Sequence, residues 1–178
     1  MVIIIMGVSG CGKTTVGQAL AQRLGVPFFD ADDYHPAANV AKMGRGEPLT
    51  DADREPWLGR LHGMIGKWVG VGREKEGEIT AVFACSALKK TYRDQLRGTL
   101  NGVVFVHLAG DFDLIWSRMA ARQGHFMKAN MLQSQFATLE PPTAVEALTI
   151  SVARPPEDII NQICNYAAVI SRSSEKSH

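Results

Sequence analysis

Four groups of residues able to do chemistry lie in order along the chain. The first, Gly7-Val8-Ser9-Gly10-Cys11-Gly12-Lys13-Thr14, fits the pattern GxxxxGK[ST], in which glycines let successive backbone N–H groups face an anion at the start of a helix. Lys13 can then reach β- and γ-phosphates, and the Thr14 hydroxyl can ligate Mg²⁺. Cys11 lies where a helix N-terminus stabilises a thiolate, which makes it a small filler with some sensitivity to alkylation. Phosphoryl transfer requires no covalent protein intermediate, so no nucleophilic role follows.

The second group is Asp30-Ala31-Asp32-Asp33-Tyr34-His35. If an extended backbone persists, Asp30 and Asp32 share one side and Asp33 points away. Asp30 then suits a metal-bound water and Asp32 the proton of an attacking hydroxyl. Asp33 is the best of the three for capping the next helix. His35 could cap, pack or bind substrate.

The third group is Lys89 and Arg93, four apart at the start of a helix. Cations there oppose the helix dipole, and an anionic ligand would relieve the conflict. The fourth is Arg118 and Arg122, again four apart, ahead of Gly124-His125-Phe126-Met127-Lys128. A glycine followed by a polar, basic stretch suits a mobile cover, whose arginines can stabilise charge on a transferring phosphoryl group.

The elements that must hold these groups follow from hydrophobic patterning. Val2 to Met6 is a continuous apolar run of the kind a doubly covered parallel strand needs. Further strands are expected at Val26–Phe29, Ile79–Cys85, Val103–Leu108 and Leu148–Val152, with helical patterns between them. Alternating strands and helices predict a three-layer α/β fold with a parallel sheet. A long insertion, Tyr34 to Glu78, contains a helix with Thr50-Asp51-Ala52-Asp53 at its start and Trp57, Leu61, Met64, Ile65 and Trp68 on one face. Pro56 is acceptable there only in the first turn. Gly70 to Glu78 reads as a variable surface loop.

The chain has 178 residues and a formal charge of +1. That length predicts one domain, over 1–171, with a lid at about 122–142 and a disordered tail at 172–178. The balanced charge argues against nucleic acid as a partner. The N-terminal apolar run is too short to span a membrane and lacks the flanks of a secretory signal, so no membrane partner and a cytoplasmic location are expected. Three cysteines without CxxC spacing indicate free thiols.

The series GVSGCGKTT, DADDYHPAANVAKMGRGEPLTDADREPWL, CSALKKTYRDQLR and RMAARQGHFMKANMLQSQFATLEPP resembles the gluconokinase family, which phosphorylates D-gluconate on its 6-hydroxyl with ATP. The resemblance runs from about Ile4 to Pro142. It implies a P-loop kinase related to shikimate and nucleoside monophosphate kinases, a five-stranded sheet of order 2-3-1-4-5 with a helical lid, and a homodimer. By position it places Gly7, Val8, Ser9, Gly10, Cys11, Gly12, Lys13, Thr14 and Thr15 on ATP, and Thr14 and, through water, Asp30 on Mg²⁺. Lys13, Asp32, Arg118 and Arg122 become the catalytic set. Asp32, His35, Lys42, Arg54, Lys89, Arg93 and His125 fall on the acceptor side, with Lys89 and Arg93 holding the sugar acid. A shikimate-like or nucleotide kinase on the same scaffold is the nearest alternative, and a non-catalytic ATP-binding sensor a more distant one.

Overall fold

The computed structural model describes residues 1–71, 78–121 and 129–174. Its centre is β1 (Val2–Met6), whose five side chains are all fully buried. Strand β1 is paired in parallel on both edges, with β3 (Ala81–Ala84) and β4 (Val103–Ala109). A strand covered on both faces and both edges meets no water, and this is why it reads as an unbroken apolar run rather than an alternating one. Strands β2 (Phe28–Asp30) and β5 (Ala147–Ser151) complete a five-stranded sheet of order β2-β3-β1-β4-β5. The expected α/β architecture and strand order are both present.

Side chains of β1 alternate between two cores. Ile3 and Ile5 join residues of α1 (Lys13–Leu24), α5 (Phe112–Ala120) and α7 (Pro156–Ser174), among them Leu20, Ile115 and Ile163. Val2, Ile4 and Met6 join α3 (Asp51–Val71) and α4 (Lys90–Arg97) through Leu58, Leu61, Ile65 and Leu96. The remaining helices, α2 (Ala37–Gly44) and α6 (Ala129–Thr138), lie toward the carboxyl edge of the sheet, where the site forms.

Several local expectations change. Strand β2 starts at Phe28 rather than Val26 and ends at Asp30, where the chain tightens into a 3₁₀ turn over Ala31–Tyr34. Pro56 is the sixth residue of α3, inside the helix rather than in its first turn. It and Ala52, whose carbonyl loses its usual donor, are both exposed, so water can replace the missing bond. Helix α3 also takes in Gly70 and Val71, while the rest of the expected surface loop, 72–77, lies outside the described residues. Helix α7 runs to Ser174, so residues 172–174, expected in the tail, are helical. Among the described residues, no helix is long and apolar enough to cross a membrane.

Ile4 is fully buried between two ladders that cannot close around a void. Ile4→Ala is expected to destabilise the protein by about 2–5 kcal/mol, read as a lower urea midpoint at unchanged slope.

Candidate functional site

The loop after β1 is held open by its glycines. Gly7, Gly10 and Gly12 have φ of 140°, 80° and 99°. A Cβ at Gly10 would lie 2.4 Å from Met119 Cγ on α5, and one at Gly7 would lie 2.8 Å from the Leu108 carbonyl oxygen on β4. Conformation and contact both demand glycine there. Lys13 Nζ donates to the Val8 carbonyl at 3.1 Å, folding the side chain across the loop. The Thr14 hydroxyl donates to Asp30 Oδ2 at 2.8 Å.

Left-handed glycines, a lysine over the loop and a helix N-terminus fit a bound nucleoside triphosphate. With its proton given to Asp30, the Thr14 hydroxyl keeps its lone pairs for a cation. No group of three His, Cys, Asp or Glu side chains among the described residues makes a metal site by itself. This suits an ion held chiefly by phosphate oxygens and water. Cys11 departs from expectation, since it is buried and burial raises its pKa, with Lys13 opposing. A protonated, enclosed thiol is a poor target for alkylation.

The acidic turn works by a different geometry from the extended one expected. Asp30, not Asp33, is the cap, its Oδ1 accepting the Asp32 N–H at 3.2 Å. The 3₁₀ turn then places Asp32 in a cleft with Lys13, while Asp33 does not line it. Loss of hydration, opposed by Lys13 and reinforced by Asp30, raises the Asp32 pKa. Its side chain remains 74% exposed to the cleft. Its desolvation is therefore partial in the open cleft and deepens once a ligand fills it.

His35 sits behind this acid with only 5% of its side chain exposed. Its ring stacks on Trp57 with centroids 4.1 Å apart and planes 14° apart. Asn39 Nδ2 donates to the Asp53 carbonyl at 2.8 Å and lies 3.5 Å from His35 Nδ1. Facing a donor, Nδ1 is the acceptor, which assigns the proton to Nε2, 3.8 Å from Asp32 Oδ1. Burial lowers the His35 pKa, Asp32 raises it less, and Arg54 adds to the lowering, so the ring is neutral at pH 7.

The cations divide sharply. Lys89 is the residue before α4 rather than within its first turn, and its ammonium bonds both oxygens of Asp51 at 2.9 and 2.7 Å. The anion that relieves the dipole conflict is therefore part of the chain. Arg93 is 3% exposed and donates to the carbonyls of Ala87, Leu88 and Glu140 and to the Glu146 carboxylate. Neither Lys89 nor Arg93 lines the cleft. Lys42 does not line it either and bonds Asp53 Oδ2 at 2.7 Å, an oxygen that also accepts from the N–H and hydroxyl of Thr50. These bonds depress the Asp53 pKa well below the usual range, Lys42 first.

Arg54 is the cation besides Lys13 that lines the cleft among the described residues. It lies over the Tyr92 ring at 5.5 Å and donates to the Leu49 carbonyl. Arg118 is exposed on α5 and does not line the cleft. Helix α5 ends at Ala120. Arg122 and His125 lie outside the described residues.

The cleft, about 310 Å³, is closed by residues the motifs did not single out. Gly46–Leu49 forms one wall, Trp57 and Tyr92 another, and α6 supplies Asn130, Ser134, Gln135 and Thr138. The spacing 130, 134, 138 is one row of a helix, so a polar i, i+4 stripe was the available signal. Ala87, at the cleft, has φ of 43° without being glycine, a local strain of the kind found at binding sites.

A family model described as shikimate kinase matches residues 9–166. A probable gluconokinase of Mus musculus is 47% identical over 162 residues, spanning 82% of this chain and 85% of its own. A gluconokinase of Gluconobacter oxydans (strain 621H) is 44% identical over 165 residues, spanning 92% and 89%. The crystal structure of a gluconokinase from Sinorhizobium meliloti 1021 matches with a TM-score of 0.85 at 39% identity, covering 99% of this chain and 97% of that one.

The contacts of Arg93 make a structural claim that can be measured. Arg93→Met is expected to cost about 2–4 kcal/mol, because three carbonyls and Glu146 lose a buried donor. The loss should appear in urea denaturation, with ligand affinities of the folded fraction changing far less.

Proposed function

The chain belongs to the gluconokinase family, and from that premise we propose that it transfers the γ-phosphate of ATP to the 6-hydroxyl of D-gluconate, giving 6-phospho-D-gluconate and ADP. The observation that carries the reading is a single cleft holding an acid of raised pKa beside the phosphate-loop lysine, with a separate arginine for a carboxylate. Gluconate is a linear polyol with a carboxylate at one end and the reacting hydroxyl at the other. Its recognition needs a base and a cation in the same cleft, and Asp32 and Arg54 are those groups.

Mg·ATP, when bound, supplies the phosphoryl group and the charge neutralisation around it. Gly7 to Thr15 would cradle the phosphates, and Lys13 would leave the Val8 carbonyl to balance charge on the transferring group. Thr14, oriented by Asp30, would ligate the metal. Asp32 accepts the proton of the 6-hydroxyl as its oxygen attacks, with the Nε2–H of neutral His35 3.8 Å from its carboxylate. Arg54 takes the gluconate carboxylate in place of Lys89 and Arg93, while the α6 carboxamides and hydroxyls suit the intervening hydroxyls. Arg118, with Arg122 and His125, remains a proposed participant on family resemblance, as do the homodimer and the cytoplasmic location.

The matching family model makes shikimate the competing acceptor. Coupled ADP-release assays with gluconate, shikimate and nucleoside monophosphates are expected to show turnover on gluconate, and turnover confined to another acceptor would overturn the reading. Arg54→Ala should raise the gluconate KM about 10- to 100-fold with the ATP KM little changed. Lys89→Ala should leave both near wild type.

The pH dependence has a definite sign. Asp32 works as the base, so kcat/KM should fall as pH drops through its pKa, an acid limb displaced above the ordinary aspartate range. Asp32→Asn should lower kcat by about 10²–10⁴-fold and abolish that limb in a pH–rate profile.

A further inference from the structure

Helix α6 is fixed from behind. Leu132 is fully buried in the core, and Phe136 packs edge-on against Phe112 with centroids 5.7 Å apart. The opposite face turns Ser134, Gln135 and Thr138 into the acceptor cleft. Gln135 reaches across it, its Oε1 accepting the backbone N–H of Ser9 at 2.6 Å. An element of the acceptor wall thus occupies an amide of the phosphate loop.

Ser9 is the loop residue that lines the cleft together with Lys13 and Asp32. Its amide therefore lies on the side of the loop facing the acceptor, where the transferring phosphate must sit for an in-line attack. One N–H carries one hydrogen and cannot fully serve both a carboxamide and a phosphate oxygen. We propose that Gln135 is a positioning residue that couples γ-phosphate occupancy to acceptor binding. Without a γ-phosphate the Gln135 carboxamide is held by Ser9. With one, Ser9 turns to the phosphate and Gln135 is released to bond an acceptor hydroxyl through its oxygen and its NH₂.

The choice of gluconate as acceptor rests on the function proposed above, but the exchange at Ser9 does not. Isothermal titration of the full chain separates them, using AMPPNP and ADP with Mg²⁺, each with and without gluconate. Wild-type protein should bind gluconate about fivefold more tightly with AMPPNP than with ADP, the worth of one neutral hydrogen bond. Gln135→Ala should lose that difference and bind AMPPNP up to about fivefold more tightly, with ADP affinity unchanged. Gln135→Glu keeps an acceptor for Ser9 but sets a negative charge against the γ-phosphate, so it should weaken AMPPNP and spare ADP. A merely structural glutamine would shift both nucleotides alike. That result, or an unaltered AMPPNP-to-ADP ratio in both variants, would overturn the coupling. Failure of wild-type protein to bind gluconate in any state would overturn the acceptor assignment while the nucleotide titrations still test Gln135.

Discussion

Backbone amides that must face an anion are the constraint on which the rest of the structure depends. Gly7, Gly10 and Gly12 adopt backbone angles that other residues resist, and the loop they form is pressed against β4 and α5. A loop so shaped needs a rigid support, and β1, buried on both faces and paired on both edges, provides it. The carboxyl edge of that sheet is where strand order reverses around β1, so chain segments diverge there and leave a crevice. The acidic turn, the loop after β3 and the cleft-facing side of α6 all converge on it.

The acceptor wall is built from polar contacts that brace one another. Thr50 and Asp53 exchange hydrogen bonds at the start of α3, and Asp53 also takes Lys42. Asn39 joins the Asp53 carbonyl to His35, and His35 lies flat on Trp57 of the same helix. Arg54, the next residue along, is thereby set beside Tyr92, which itself bonds Asp51. Lys42 and Lys89, which motif reading assigns to substrate, each pair with a carboxylate of α3, Asp53 and Asp51.

Legibility in the sequence followed the range of the interaction. The strands and the phosphate loop rest on continuous apolar runs and glycine spacing, which are local, and they were readable, whereas the strand order followed from the family resemblance. Asp32 was chosen by assuming that an extended strand continued past Asp30, yet the chain turns there and reaches the same cleft by another path. The ion pairs of Lys89 and Arg93 were not readable because their anionic partners, Asp51 and Glu146, lie 38 and 53 residues away. No local pattern encodes which carboxylate meets which cation. The α6 stripe was visible as spacing, but only the fold shows that it faces the cleft.

Asp30 has two oxygens and spends them on opposite halves of the reaction. One orients the Thr14 hydroxyl on the nucleotide side, and the other starts the turn that carries Asp32 on the acceptor side. Donor and acceptor positions are thus measured from a common origin, one carboxylate wide. Displacing that one carboxylate would disturb the Thr14 contact and the turn carrying Asp32 at the same time.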